Sequence, residues 1–526
     1  MAKRLLVIGI DGGTWRVLDR LLEEHRLPVL QGLIQTGLKN DLISTIPPIT
    51  AAAWSSFQTG VHPGKHGVYD FIALDVQNKR AVLVNSRAIQ APTLWELLSR
   101  AGKQAVVINV PLTFPPRRLP GIVTIGGMLS PEVSPKFVHP PEVYDRVIRK
   151  VHYRILVPRW AVKSLKPAEF VDEEIEVEHE RFRAAHLLLD LYPDWSFFMI
   201  HVQSSDVIQH AFWHYLDPSW PQYTPEAWRT ITRFYEALDQ EIGRLVDHAR
   251  PDAVLIISDH GFGPARTEVN LNLWLKRRGL LKTTGTDKLA LLEDFTRRVD
   301  RWNLIKRMAV KLLGHNAARK LRGRKAGNIF QKIDWEHTRL FVTASIHFAF
   351  LFLNPRFRRE EVLPPLETAL QELRYRDGSP IVQRVHFKED LYGPEPRGYP
   401  PDLIVEPREG FVFSSNLDAV GLFRSYRPGL EDTGAHAMEG IVVASGAGFQ
   451  GIAGGPFHIV DIAPTVLQFL GLPVPEHMDG RPIHGRGQAG KPPTAPGPTG
   501  ETPPESVYTP EEEREIQKRL EDLGYL

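Results

Sequence analysis

The residues best equipped for chemistry in this chain sit where apolar runs stop. The run Ala253-Val-Leu-Ile-Ile-Ser-Asp-His260 ends abruptly in a carboxylate and an imidazole, Asp259 and His260. Leu5–Ile10 ends in the same way at Asp11, and Asp206 with His210 follow the run Ser196–Val202. Apolar β-branched runs of this kind form strands buried on both faces, and in open α/β sheets ligands bind at their carboxyl ends. Asp206 and His210 are spaced i and i+4, which on a helix puts both on one face about a turn apart. That pair suits two ligands of one divalent ion. The chain has no cysteine, so disulfides, thiolate ligands and cysteine nucleophiles are excluded. Carboxylate and imidazole donors without sulfur favour Zn²⁺ first and Mn²⁺ second.

Thr50 opens the segment Thr-Ala-Ala-Ala-Trp-Ser-Ser-Phe-Gln-Thr-Gly60, a helix former stopped by glycine. Two readings of its hydroxyl stand side by side. It is a plain helix N-cap, or it is a nucleophile whose alkoxide is favoured by the positive end of the helix dipole and by a nearby metal.

Elements must hold these groups in place. From residue 4 to about 264, short apolar runs (Leu5–Ile10, Ala105–Val110, Ile122–Ile125, Phe197–Val202 and Val254–Ser258) alternate with helical patterns at Arg16–Glu24, Thr50–Thr59, Thr93–Ala101 and Pro225–Ala249. Strands separated by helices predict an α/β fold, a mostly parallel sheet flanked by helices. The pattern lapses over 265–435, where Lys288–Leu313 reads as a long amphipathic helix followed by a basic segment. It returns at Gly440–Ser445 and Ile459–Gly471. The expected organisation is therefore a discontinuous catalytic domain, 1–264 and 436–484, with an inserted α+β cap at 265–435. Residues 485–507 read as a Pro/Gly-rich linker and 508–526 as a docking helix, with a capping box at Thr509-Pro-Glu-Glu512. The apolar stripe Ile516, Leu520 and Leu523 is expected to dock on the body or on a second subunit.

Bulk properties narrow the partners. In 526 residues, 64 basic side chains nearly balance 62 acidic ones, so no global field points to nucleic acid. No window approaches the length of a transmembrane span, and the N-terminus runs straight into a strand, so a cytoplasmic location is expected. The basic stretch 288–325 reads as a solvated face, with an anionic surface contact as the lesser reading.

The ordered set Asp11, Thr50 with Thr59-Gly60, Pro63 and His66-Gly67, then Asp206-x-x-x-His210, Asp259-His260 and a late His436 in Gly434-Ala-His436 resembles the alkaline phosphatase superfamily. It is most similar to the type I phosphodiesterase/nucleotide pyrophosphatase branch. The segments Val269–Leu275, Asp461–Leu467 and Met478–Pro482 further resemble a prokaryotic subgroup described as predicted phosphohydrolases or phosphomutases. The resemblance implies two divalent ions roughly 4 Å apart. Asp206, His210 and His436 would hold one, and Asp11, Asp259 and His260 the other, with the Thr50 oxygen between substrate and metal. It also implies a small phosphorylated substrate and a phospho-threonine intermediate that water hydrolyses. A phosphomutase would return the phosphoryl group to an acceptor, and a non-catalytic membrane-surface scaffold is the rival from another class.

Two departures from the family pattern matter. The diesterase relatives carry an Asn after the nucleophile helix to bind a phosphoryl oxygen, and here that position is Phe71, preceded by Asp70. Thr50-Ala-Ala-Ala also lacks the site needed for sulfatase chemistry. Of the other histidines, His201 reads as a hydrogen-bonded core residue, His66 as shaping the loop after the helix, and His62 as exposed. His347 and His458 read as structural, and His214 as either structural or a support behind the ligands.

Overall fold

The computed structural model describes residues 3–157, 165–285, 329–345, 347–419, 421–429, 431–452, 454–483 and 507–523. The amphipathic helix expected at Lys288–Leu313 lies outside them, as do the basic segment after it and nearly all of the linker. A nine-stranded sheet forms the frame. Its order is Phe457–His458, Gly37–Ile43, Glu439–Gly446, Ala253–Ile257, Leu5–Ile10, Phe197–Val202, Ala105–Ile108, Ile122–Ile125 and Val138–His139. The five strands from Ala253–Ile257 to Ile122–Ile125 are parallel.

Alternation along each central strand divides the core into two layers. Leu6, Ile8 and Ile10 pack with Phe198 and Ile200 on one face. Leu5 and Val7 pack with Phe197 and Met199 on the other. Both faces are covered by helices, which is why these strands are buried at every position and mostly apolar. Gly9 lets helix Thr50–Thr59 come close, since a Cβ there would lie 2.5 Å from the Trp54 ring.

Two strands depart from a simple alternating order. Glu439–Gly446 returns from the far end of the chain and inserts antiparallel between Gly37–Ile43 and Ala253–Ile257. Its start therefore lies at the same edge as the carboxyl ends of the parallel strands. Ala105–Ile108 stops two residues before the expected end because Asn109 takes a left-handed conformation, φ 61°.

The chain leaves the sheet along Gly261–Asn270 and comes back along Gly434–Ala437, and these two strands pair antiparallel, Phe262 opposite His436. Farther along, Gly261–Asn270 pairs with Gly410–Ser414 and Phe423–Ser425. Between them lies a four-stranded antiparallel sheet of Leu340–Ser345, Phe348–Leu353, Leu403–Pro407 and Val382–Phe387, with helix Arg359–Gln371 beside it. The C-terminal helix Pro510–Leu523 buries Ile516 and Leu520 completely. Among the described residues, no helix is long and apolar enough to cross a membrane.

Candidate metal centre and nucleophile

All seven residues singled out from the sequence meet at the carboxyl edge of the sheet. Asp11 follows Leu5–Ile10, and Gly12 then turns the chain at φ 66°. A Cβ on Gly12 would lie 2.4 Å from the Phe262 ring, so the turn and the crowding both demand glycine. The Gly12 N–H donates to Asp259 Oδ1 at 3.1 Å, tying the ends of two neighbouring strands together. Ser205 Oγ donates to the Asp11 carbonyl at 2.6 Å, and Gln209 Nε2 to the Gly12 carbonyl at 2.8 Å. The helix Ser204–Leu216, carrying Asp206 and His210, is thereby clamped to the loop after the first strand.

Three imidazoles are oriented by one device. His210 Nδ1 donates to the Gly434 carbonyl at 3.2 Å, His260 Nδ1 to the Gly261 carbonyl at 3.1 Å and His436 Nδ1 to the Pro48 carbonyl at 2.8 Å. A carbonyl only accepts, so each Nδ1 carries its hydrogen and each Nε2 is left to face inward. His210 Nε2 lies 3.0 Å from His436 Nε2, and both lie near Asp206 Oδ1, at 3.3 and 3.2 Å. His260 Nε2 lies 3.4 Å from Asp11 Oδ1, 3.3 Å from Asp259 Oδ2 and 3.4 Å from Thr50 Oγ1. Ligand atoms of Asp206, His210 and His436 fall within 4.8 Å of one another, and so do those of Asp11, Asp206 and His260. Asp206 thus stands between the two groups.

Thr50 is the first helical residue of Thr50–Thr59, and the N-cap is Ile49, so the cap does not fall to the Thr50 side chain. Its hydroxyl is fully buried and faces His260. Behind the helix, Val68 N–H donates to His66 Nδ1 at 3.2 Å, leaving His66 Nε2–H to donate to Ser56 Oγ at 2.9 Å. His66 therefore pins the following loop, as expected. Phe71, where diesterase relatives carry an amide, is fully buried apolar core.

Electrostatics set the centre apart from a packed core. Burial pushes Asp11 up to about 6 and, helped by the Asp11 charge, Asp259 up to about 8. Burial opposes a proton on His260, but Asp259 and Asp11 overcome it and raise that imidazole to about 9. Burial, and then the charge on His260, drives His436 down to about 3. Burial also works against charge on Asp206, yet His210 and His436 hold its carboxyl well below the usual range. Asp259 Oδ2 is buried without a hydrogen-bond donor. Inward-facing Nε2 atoms 3.0 Å apart, beside buried carboxylates, make a donor set able to hold divalent cations.

Three further residues support this centre. His201, expected in the core, donates from Nε2 to Asp11 Oδ2 at 3.0 Å while its Nδ1 accepts from Asn109 Nδ2 at 3.3 Å. His214 Nδ1 meets Thr433 Oγ1 at 2.8 Å, and Thr433 N–H donates to the His210 carbonyl at 2.8 Å. His214 thus steadies the segment leading to His436. Glu178, on helix Pro167–Leu191, accepts from the N–H groups of Gln203 and Ser204 at 3.2 and 3.1 Å and from Ser204 Oγ at 2.8 Å. From outside, it caps the helix that carries Asp206 and His210. The ring of His347, read from the sequence as structural, lies 6.0 Å from that of His210 and 6.2 Å from that of His436.

A mostly parallel sheet thus carries, at its carboxyl edge, buried Asp and His groups able to hold metal. Residues 5–429 match the family described as type I phosphodiesterase / nucleotide pyrophosphatase, and the chain belongs to that family of enzymes acting on phosphoester or anhydride bonds. In fold it is similar to phosphonoacetate hydrolase from Sinorhizobium meliloti 1021 in complex with phosphonoformate. The identity is 15% and the TM-score 0.57, covering 89% of this chain and 96% of that one. Human ectonucleotide pyrophosphatase / phosphodiesterase 5 is similar at 14% identity and a TM-score of 0.50, over 91% of this chain and 97% of its own. No curated protein matches this chain in sequence.

Proposed function

We propose that the chain hydrolyses small phosphodiesters, nucleotide pyrophosphates or phosphomonoesters through a phosphoryl-threonine on Thr50. The observation that carries this reading is the 3.4 Å approach of Thr50 Oγ1 to His260 Nε2, at the meeting point of the two ligand groups. Asp206, His210 and His436 would hold one divalent cation and Asp11, Asp259 and His260 a second. When bound, Zn²⁺ or Mn²⁺ ions would neutralise the phosphoryl oxygens and favour the Thr50 alkoxide.

The chain's own groups account for the rest. The Thr50 oxygen attacks phosphorus, an O–P bond forms, and the bond to the leaving oxygen breaks, that oxygen taking up the proton released by the Thr50 hydroxyl. Water then attacks the same phosphorus and the Thr50 O–P bond breaks, restoring the hydroxyl. The helix N-terminus supports the anionic oxygen through its dipole. Burial of every participating group excludes bulk water and holds the reacting atoms in one geometry.

Acid quench during turnover of bis(p-nitrophenyl) phosphate, followed by peptide mass spectrometry, tests the proposal. A p-nitrophenyl phosphoryl adduct on Thr50 is expected, and Thr50→Ala should abolish turnover with about two equivalents of metal retained. Near-normal turnover by Thr50→Ala would overturn it.

A further inference from the structure

The geometry points to His347 as the residue that receives the leaving group: its imidazole donates a hydrogen bond to the departing oxygen of the substrate. This rests on Thr50 being the nucleophile, and four observations carry it.

The first is where the centre opens. Thr50, Asp11, Asp259 and His260 are fully buried and Asp206 is 1% exposed. The His436 side chain is also fully covered, whereas the His210 side chain keeps 6%. The small opening of the ligand set therefore lies at the His210 ring. His347 stands over that side, its ring 6.0 Å from His210 and only 24° from parallel, and 6.2 Å from His436.

The second is that His347 is near the metal groups without belonging to them. Its nitrogens are in neither set of converging ligand atoms. A half-buried imidazole one layer out is placed to meet what the cations hold.

The third is direction. Thr50 touches the His260 end of the stacked His260–His436 pair, and His347 faces the His210–His436 end. In-line displacement sends the leaving oxygen away from the nucleophile, hence toward His347.

The fourth is how His347 is held. It closes the hairpin between Leu340–Ser345 and Phe348–Leu353 at φ 83°, a conformation that suits glycine and strains histidine. Its carbonyl accepts the Phe413 N–H at 3.1 Å. Phe413 lies on Gly410–Ser414, which pairs with Gly261–Asn270, the strand that begins one residue after His260. The tip of the inserted sheet is thus registered to the metal loop through backbone bonds.

The test compares the full-length, zinc-loaded protein with His347→Gly and His347→Gln on p-nitrophenyl phosphate and phenyl phosphate. Glycine relieves the strained turn, so that variant should melt no lower than the parent. Elemental analysis should still find the parent's metal content in both variants. The better leaving group needs little help. His347→Gly is therefore expected to lose at least tenfold more kcat/KM on phenyl phosphate than on p-nitrophenyl phosphate. Glutamine, an N–H donor of similar reach, should restore part of that difference. Equal losses on both substrates, no loss on either, or loss of metal would each overturn the assignment. Acid-quench labelling of Thr50 in the same samples keeps the two questions apart. An unlabelled parent sinks the nucleophile, whereas a labelled parent with a flat leaving-group response sinks His347 alone.

Discussion

The rings of His260 and His436 lie face to face, with centroids 3.5 Å apart and planes 22° from parallel. One ring belongs to each ligand group, so the two groups share a wall. The contact follows from strand register. Gly261–Asn270 begins directly after His260, and its pairing with Gly434–Ala437 sets Phe262 opposite His436.

Metal binding should therefore act on stability as well as on turnover. Without cations, the buried carboxylates Asp11, Asp206 and Asp259 face imidazoles at 3.0 to 3.4 Å. Ligand that binds only the folded state stabilises it by about 4 kcal/mol at a thousandfold excess over Kd. Chelation with EDTA should lower the melting temperature by several degrees and zinc should restore it. Identical melting with and without chelator would remove the metal reading of the centre.

Asp206 should matter to both cations and His210 to one. Asp206 lies within 4.8 Å of His210 and His436 and equally of Asp11 and His260. Asp206→Asn is expected to lower metal content toward zero, and His210→Ala toward one equivalent. Elemental analysis of gel-filtered protein decides, and equal stoichiometry in the two variants would contradict the shared position.

Glu178 provides a test of positioning from outside the ligand set. Its carboxylate holds the N–H groups that open helix Ser204–Leu216, and it pairs with the fully buried Arg181. Removal of such outer support typically weakens metal binding by roughly 10- to 100-fold. Glu178→Gln should show that loss in competition with a chelating dye. Because the change also strands Arg181, the variant Glu178→Gln/Arg181→Met separates affinity from folding. Unchanged affinity in both would assign Glu178 to folding alone.

The candidate ligands were legible because Asp11, Asp259 and His260 end apolar strands and Asp206 and His210 share a helical spacing. His436 was legible only through family resemblance, since its place depends on a pairing between distant segments. His347 carried no local signal, because its role depends on how far one hairpin tip reaches. Strand Gly37–Ile43 went unread because Lys39, Asn40 and Asp41 interrupt any apolar run near the sheet edge. Helix Pro167–Leu191 hid its function in a run of glutamates that resembles a solvated face. Glu174, Glu178 and Glu180 are in fact buried.

Glu174 predicts a pH dependence. Burial pushes its carboxyl from an ordinary 4.5 up to about 8, against the pull of the Ser204 hydroxyl and with the Glu178 charge pushing further. The unfolded chain releases this proton near 4.5, whereas the folded chain keeps it to about 8. The folded state therefore binds more protons across that window, and stability falls as pH rises through it. The contribution is fully present below the lower value and lost above the upper one. Glu174→Gln should flatten that fall and melt higher than the parent at pH 9. Parallel melting profiles from pH 5 to 9 would show that this proton is not held.

The C-terminal helix should contribute to folding and not to chemistry. Ile516 and Leu520 are fully buried, Tyr508 stacks on Phe114 with centroids 5.8 Å apart, and Arg519 donates to the carbonyls of Ser130 and Pro131 at 2.6 and 2.9 Å. Ile516 and Leu520 are already covered within one chain. Leu520→Ala leaves a cavity whose usual cost is about 2–5 kcal/mol. The melting temperature should drop accordingly, while metal content and kcat/KM on p-nitrophenyl phosphate stay at parental values below the transition. Loss of activity at a temperature where the variant remains folded would mean that this helix reaches the centre through the loop at Met128–Pro131.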